Sequence, residues 1–356
     1  MLGDAAEALP TWRLFLAFVQ GKAASEVVSI ARSLGGGAVT PTAQQAFLDT
    51  CLRHPLVQAH PVSDKQCGRV LKLLFAAAEA DGQEVLDHLA EEVCLRAAAG
   101  EVGGWGHKTF AYLPHGTMED VASQNSAEFI NAVVASGGAP AAPRGDGSCG
   151  LITLHLSDNL FEGSTGCHEW EAGFLLAEIV LNNPEIVRGR RCLEIGCGAG
   201  VVGICLARAG AGSIVCTDGD MRTVENCRRN MATNGVPVAA DSEGRHRCEQ
   251  LLWECGWGGE APEVVLGADL LYDPGIIPAL VALLHGLLRA GAQAYIATTL
   301  RNATTVEAFV EAACGAGLAV EDATQELQRR RDIGFQACDV LENRAAVRVH
   351  RLWLRE

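Results

Sequence analysis

No apolar run in this sequence approaches the roughly 20 residues that a membrane-spanning helix requires, so a transmembrane protein is not expected. Basic residues are also in short supply. Lys and Arg number 28 against 43 Asp and Glu, for a formal net charge of −15. That balance speaks against binding along a phosphate backbone, which needs a broad basic face, so no nucleic-acid partner is expected. A local basic run does occur at Arg329, Arg330 and Arg331. The first residues, MLGDAAEALP, lack the basic and then apolar pattern of a secretory signal, which makes a cytoplasmic protein the expectation. The 14 cysteines include no CxxC pair, and several (Cys192, Cys205, Cys216) fall within apolar runs. They read as reduced, buried thiols, and no metal centre is expected from their spacing. No internal repeat period stands out, which leaves no case for a solenoid.

What the sequence does have is concentrated in residues 191–234. Cys192-Leu193-Glu194-Ile195 suits a buried strand. Gly196, Gly198 and Gly200 follow at alternate positions, then a helical pattern with Val201, Val202, Ile204, Cys205 and Leu206 on its apolar face. A second strand, residues 213–217, ends at Asp218. This is a strand–turn–helix–strand unit of a parallel sheet. Glycines in such a turn let a ligand approach the backbone, and an acidic residue at the tip of the next strand can hold two ribose hydroxyls. The stretch therefore predicts a site for an adenosine-containing cofactor. A dinucleotide fingerprint is not met, because Val201 stands where its third glycine belongs. The competing reading is a ligand-free α/β domain whose glycines only make a turn.

Residues 1–115 read as a helical domain. Trp12, Phe15, Leu16 and Val19 recur on one face, and Ser63 followed by Gln66 forms a capping box ahead of a helix over 64–80. The prolines at 55 and 61 forbid a continuous helix between them, and the adjacent His54 and His60 read as turn residues. Residues 116–150 are Pro/Gly-rich in part and read as a linker or long loop. Residues 151–356 form the α/β domain, beginning with a strand at 151–156. Trp170 opens a helix just before the first core strand, where it can pack beside the cofactor or anchor the helix to the sheet. Asn226, Asn230 and Asn234 share a helix face. Trp253 follows the third strand, within reach of an adenine edge. The fourth strand ends at Ala268 and leads into Asp269-Leu270-Leu271-Tyr272, beside the ligand in any open parallel sheet. The last two strands should form a hairpin, with the final one antiparallel to the rest.

The order Trp170-Glu171-Ala172, Glu194-Ile195-Gly196-Cys197-Gly198-Ala199-Gly200, Asp218, Leu252-Trp253 and Asp269-Leu270-Leu271-Tyr272 resembles the seven-strand, S-adenosylmethionine (SAM)-dependent protein-lysine methyltransferases with a D-x-x-Y motif. Within that family it is most similar to the branch that acts on eukaryotic elongation factor 2, on the strength of the N-terminal helices, His54-Pro55 and His60-Pro61, Gly163-Ser164-Thr165-Gly166 and Arg301-Asn302. The resemblance implies a Rossmann-like methyltransferase sheet with its last strand antiparallel, preceded by a helical domain that recognises a protein substrate. It implies SAM contacts at Trp170, Glu194, Gly196, Gly198, Gly200, Asp218, Trp253 and Ala268, with Glu194 orienting the methionine end. It implies acceptor-side roles for Asp269 and Tyr272 and no metal; the sequence leaves the oligomeric state open, with a monomer favoured.

An N/D-P-P-Y motif, common where exocyclic or amide nitrogens are methylated, is not met: Leu270 and Leu271 occupy the proline positions. A SAM enzyme acting on another protein or a small molecule, and a catalytically silent SAM-binding partner protein, stay open as alternatives.

Overall fold

The computed structural model describes residues 3–99, 104–114, 149–239 and 244–355. The expected linker lies outside these residues except for its last two positions. The chain forms two compact units, one reaching to Asp158 with a return at Phe335–Asp339, the other comprising Asn159–Gly334 and Val340–Glu356.

The first unit begins with six helices: α1 (Gly3–Val19), α2 (Ala24–Leu34), α3 (Pro41–Phe47), α4 (Pro55–Ala59), α5 (Asp64–Ala80) and α6 (Asp87–Ala99). Its core gathers Trp12, Phe15, Phe18, Phe47 and Leu71, all fully buried. Ser63 caps α5 by accepting from the Gln66 N–H at 3.3 Å, but the Gln66 side chain donates to the Lys22 carbonyl at 2.6 Å. Only half of the expected capping box is therefore made. His54 caps α4, its Nδ1 accepting from the Leu56 N–H at 3.2 Å, and its ring packs 4.6 Å from Phe15.

The all-helical expectation for this region needs correcting. Residues Trp105–Pro114 are a strand, β1, and the strand expected to open the second domain, β2 (Gly150–Ser157), pairs antiparallel with it. Thr109 and Thr153 sit opposite each other with hydroxyls 2.9 Å apart, and Trp105 stacks on His155. Such cross-strand pairs stabilise a ladder between segments far apart in sequence, which a local periodicity does not reveal.

The second unit contains α7 (Glu171–Asn182), β3 (Arg191–Ile195), α8 (Val201–Arg208), β4 (Ser213–Asp218), α9 (Met221–Thr233), β5 (His246–Gln250), β6 (Val264–Ala268), α10 (Ile277–Arg289), β7 (Gln293–Thr299), α11 (Ala303–Gly315), β8 (Leu318–Asp322) and α12 (Thr324–Leu327). After β9 (Ile333–Phe335), whose Phe335 belongs to the first unit, comes β10 (Val347–Leu354). Seven strands form one sheet in the order β5-β4-β3-β6-β7-β10-β8. β10 runs antiparallel to β7 and β8, and the pairs among β3 to β7 are parallel. This is the expected seven-strand methyltransferase topology. The order reverses between β3 and β6, and an open sheet leaves a crevice beyond the strand ends at such a switch. β5 ends two residues earlier than the sequence predicted, which puts Trp253 in a 3-10 turn, Trp253–Cys255.

Candidate active site

The crevice at the switch point holds a cavity of about 490 Å³. That lies within the range of cofactor sites, about 300–1,000 Å³. Of the residues singled out from sequence, Gly196, Gly198, Asp218 and Trp170 line it, and so do Trp253, Ala268, Asp269 and Tyr272.

The turn after β3 has a specific construction. Gly196, Gly198 and Gly200 have φ of 64°, 51° and 86°, the left-handed region that glycine enters without steric cost. The Cys197 N–H donates to the Thr217 carbonyl at 2.8 Å and the Gly198 N–H to Asp218 Oδ2 at 3.2 Å, which ties the turn to the tip of β4. Asn230 of α9 donates to the Ala199 carbonyl at 2.9 Å, so one member of the asparagine face supports the turn. The Asp220 N–H donates to Asp218 Oδ1 at 3.1 Å. Burial pushes the Asp218 carboxyl up to about 6, which leaves it largely ionised at neutral pH. A carboxylate has about four acceptor positions, and the two used here leave two for ligand hydroxyls.

Glu194 and Gly200 are not among the lining residues. The alternation of β3 sends Glu194 beneath the turn, where it is 3% exposed and accepts from the Cys216 thiol at 3.4 Å. Gly200 caps α8, and a Cβ there would lie 2.8 Å from Cys227 Sγ. Both residues support the turn from behind.

Asp269 stands just past β6 with φ 51°, unusual for a residue with a side chain. Its N–H donates to the Ala297 carbonyl at 2.9 Å. Its carboxylate accepts from the Thr299 N–H at 2.9 Å, the Thr299 hydroxyl at 3.1 Å and the Ala172 N–H at 3.3 Å. The strand end of β7 and the start of α7 therefore aim this carboxylate. Tyr272 is 66% exposed, and burial of its inner portion, with Asp218 nearby, raises its phenol pKa.

Sequence reasoning left several lining residues out of the site. Arg301 lies 3.8 Å from Asp269 and 4.8 Å from the Trp170 ring centre, a cation–π contact. It follows the carboxyl end of β7, so the strand-end rule that found Asp269 would have found it as well. Ser164, Thr165 and Gly166 form another wall. Ser164 and Thr165 are left-handed, at φ 50° and 77°, and the loop is latched to α9: the Thr223 hydroxyl donates to the Gly163 carbonyl at 2.7 Å and Ser164 to Asp220 Oδ2 at 3.2 Å. The Trp170 Nε1 donates back to the Thr165 carbonyl at 3.0 Å. Glu171 faces Asp269, and burial first, then that neighbouring charge, raises its pKa.

The protein-lysine N-methyltransferase EFM3 of Chaetomium thermophilum is 38% identical over 178 residues, 46% of this chain and 52% of that protein. This chain thus spans about half the length of that relative. The human protein-lysine N-methyltransferase EEF2KMT is 28% identical over 288 residues, 76% of this chain and 77% of its own. Among solved structures, a TehB-like SAM-dependent methyltransferase from Corynebacterium glutamicum is similar over 50% of this chain and 88% of its own, at 20% identity and a TM-score of 0.37. Residues 151–313 match the family described as "Lysine methyltransferase".

Proposed function

We propose that this protein is a SAM-dependent protein-lysine N-methyltransferase, that eukaryotic elongation factor 2 is its substrate, and that it works in the cytoplasm. The observation that carries the reading is the placement of Asp269 and Tyr272 in the same cavity as Gly196, Gly198 and Asp218. Cofactor-side and acceptor-side groups thereby share one cavity.

The residues fit SAM. Asp218 has two acceptor positions left for ribose hydroxyls, and the glycine turn opens backbone surface to the ligand. Trp253 lines the adenine side. When bound, SAM supplies an electrophilic methyl group on a sulfonium. The chain's own part is to hold a neutral amine on the far side of that methyl, since the displacement is in line. A lysine ammonium must first lose a proton from a pKa of about 10.4. Asp269 already accepts three hydrogen bonds, so about one acceptor position is left for the incoming ammonium. A carboxylate beside an ammonium favours its charged form, so Asp269 orients the amine and water takes the proton. Tyr272, at the exposed edge, adds a second hydrogen-bonding group. Asp218, Asp220, Glu254 and Asp269 all line the cavity, a field that draws in cationic side chains.

The EEF2KMT and EFM3 relatives support a protein substrate, and the 28% identity of the former supports elongation factor 2 in particular. The helical first unit is proposed to recognise that substrate. The test is incubation of the purified protein with SAM and purified eukaryotic elongation factor 2, read by peptide mass spectrometry. Methyl increments on a lysine are expected. An unmodified factor, with SAM bound and other proteins methylated, would remove this substrate and keep the reaction.

A further inference from the structure

Behind the glycine turn lies a group of thiols that methyl transfer does not use. β3, β4 and β5 are adjacent and parallel, and their register sets Glu194 beside Cys216 and Cys216 beside Cys248. Matched positions on neighbouring strands leave the sheet on the same face. α9 packs on β4 and β5 and lays Cys227 over this row. The ligating atoms of Cys216, Cys227 and Cys248 lie within 4.8 Å of one another, and all three residues are buried, reduced cysteines. Cys227 Sγ and Cys248 Sγ are 3.8 Å apart, and Cys216 Sγ is 3.4 Å from Glu194 Oε2.

Zinc bound tetrahedrally, with bonds of about 2.3 Å to sulfur, sets sulfurs about 3.8 Å apart, the separation found between Cys227 and Cys248. Gly203 lets α8 close on this layer: a Cβ there would lie 2.5 Å from Cys216 Sγ.

We propose that Cys216, Cys227 and Cys248 hold a zinc ion that fastens β5 and α9 behind the cofactor turn. Filling it displaces the three thiol protons to solvent. The site is independent of the substrate reading.

The test uses full-length protein from zinc-supplemented cells, treated with chelator and desalted. About one zinc per chain is expected, released in step with mercurial titration of the buried thiols. Protein from cobalt-grown cells should show near-ultraviolet thiolate charge-transfer bands and red bands of a tetrahedral ion. Cys227→Ser and Cys248→Ser should each lower zinc content at least about tenfold, while Cys94→Ser, at an exposed cysteine, retains it. A folded wild-type protein that holds no zinc overturns the proposal, and that measurement needs no variant. So does zinc that leaves before the thiols react, or that persists in a folded Cys227→Ser variant, since it would sit elsewhere.

Discussion

Asp269 is held in a left-handed conformation that costs a residue with a side chain about 1–3 kcal/mol. The compensating contacts are the Ala297 carbonyl for its N–H and Thr299 with Ala172 for its carboxylate. Since those contacts hold the carboxylate where the proposed acceptor would lie, Asp269→Ala should abolish methyl transfer and leave SAM affinity within about tenfold. Calorimetry with SAM, run beside a transfer assay, checks both halves, and loss of SAM binding in a folded variant would show the residue is misplaced. Asp218→Ala should weaken SAM binding by an order of magnitude or more, through lost charge-assisted hydrogen bonds to the ribose of about 1.5–3 kcal/mol. Unchanged affinity would count against the pocket described. At this scale the sequence identified the residues on strand tips, because a parallel sheet sends its ligand to the carboxyl ends of its strands. Glu194, expected beside the methionine end, lies behind the turn and outside the cavity lining, and Arg301 and the Ser164–Thr165 wall were left out of the site. Their part depends on how loops are latched to α9, and such contacts are not written in local spacing.

Among the elements, α8 carries an informative exception. Alanine in a helix interior ordinarily stabilises by about 0.5–1 kcal/mol over glycine. At Gly203 the added Cβ would meet Cys216 Sγ at 2.5 Å, and overpacking of this kind costs about 1–3 kcal/mol. The second effect is the larger, so Gly203→Ala should lower the denaturation midpoint, and a stabilised variant would mean that the layer beneath the turn yields to the added methyl group. β10 makes a separate prediction. Burial holds the His350 imidazole below its ordinary value of 6.5, with Asp322 opposing and Arg348 adding to the shift. A histidine with a depressed folded-state pKa contributes stability that is present above the ordinary value and lost as pH falls through the lower, folded one. The thermal midpoint should therefore drop on going from neutral pH to about 5, and His350→Gln should drop less. Equal slopes would remove His350 as the cause. The central strands β3, β4, β6 and β7 were legible because each is a short, largely apolar run bounded by turn residues. β1 was not, since its partner β2 lies some forty positions on in sequence and the segment follows six helices without a clear break.

Taken as a whole, the molecule combines an acidic surface balance with a cavity lined by four carboxylates. Both suit a cationic acceptor and neither suits nucleic acid. The division into units also bears on how the first one is tested. A truncation after residue 115 would take away β1 and strand β2 without its partner, so that deletion would damage the hairpin as well as remove the helices. The central claim is methyl transfer to protein lysine, and it is most directly tested by incubating the protein with labelled SAM in a eukaryotic cytosolic extract, resolved by size, with Asp269→Ala as the control. The account predicts label in a protein band near the mass of elongation factor 2, on lysine, and absent with the variant. Label confined to small molecules or RNA, or no label at all while SAM remains bound, would contradict it.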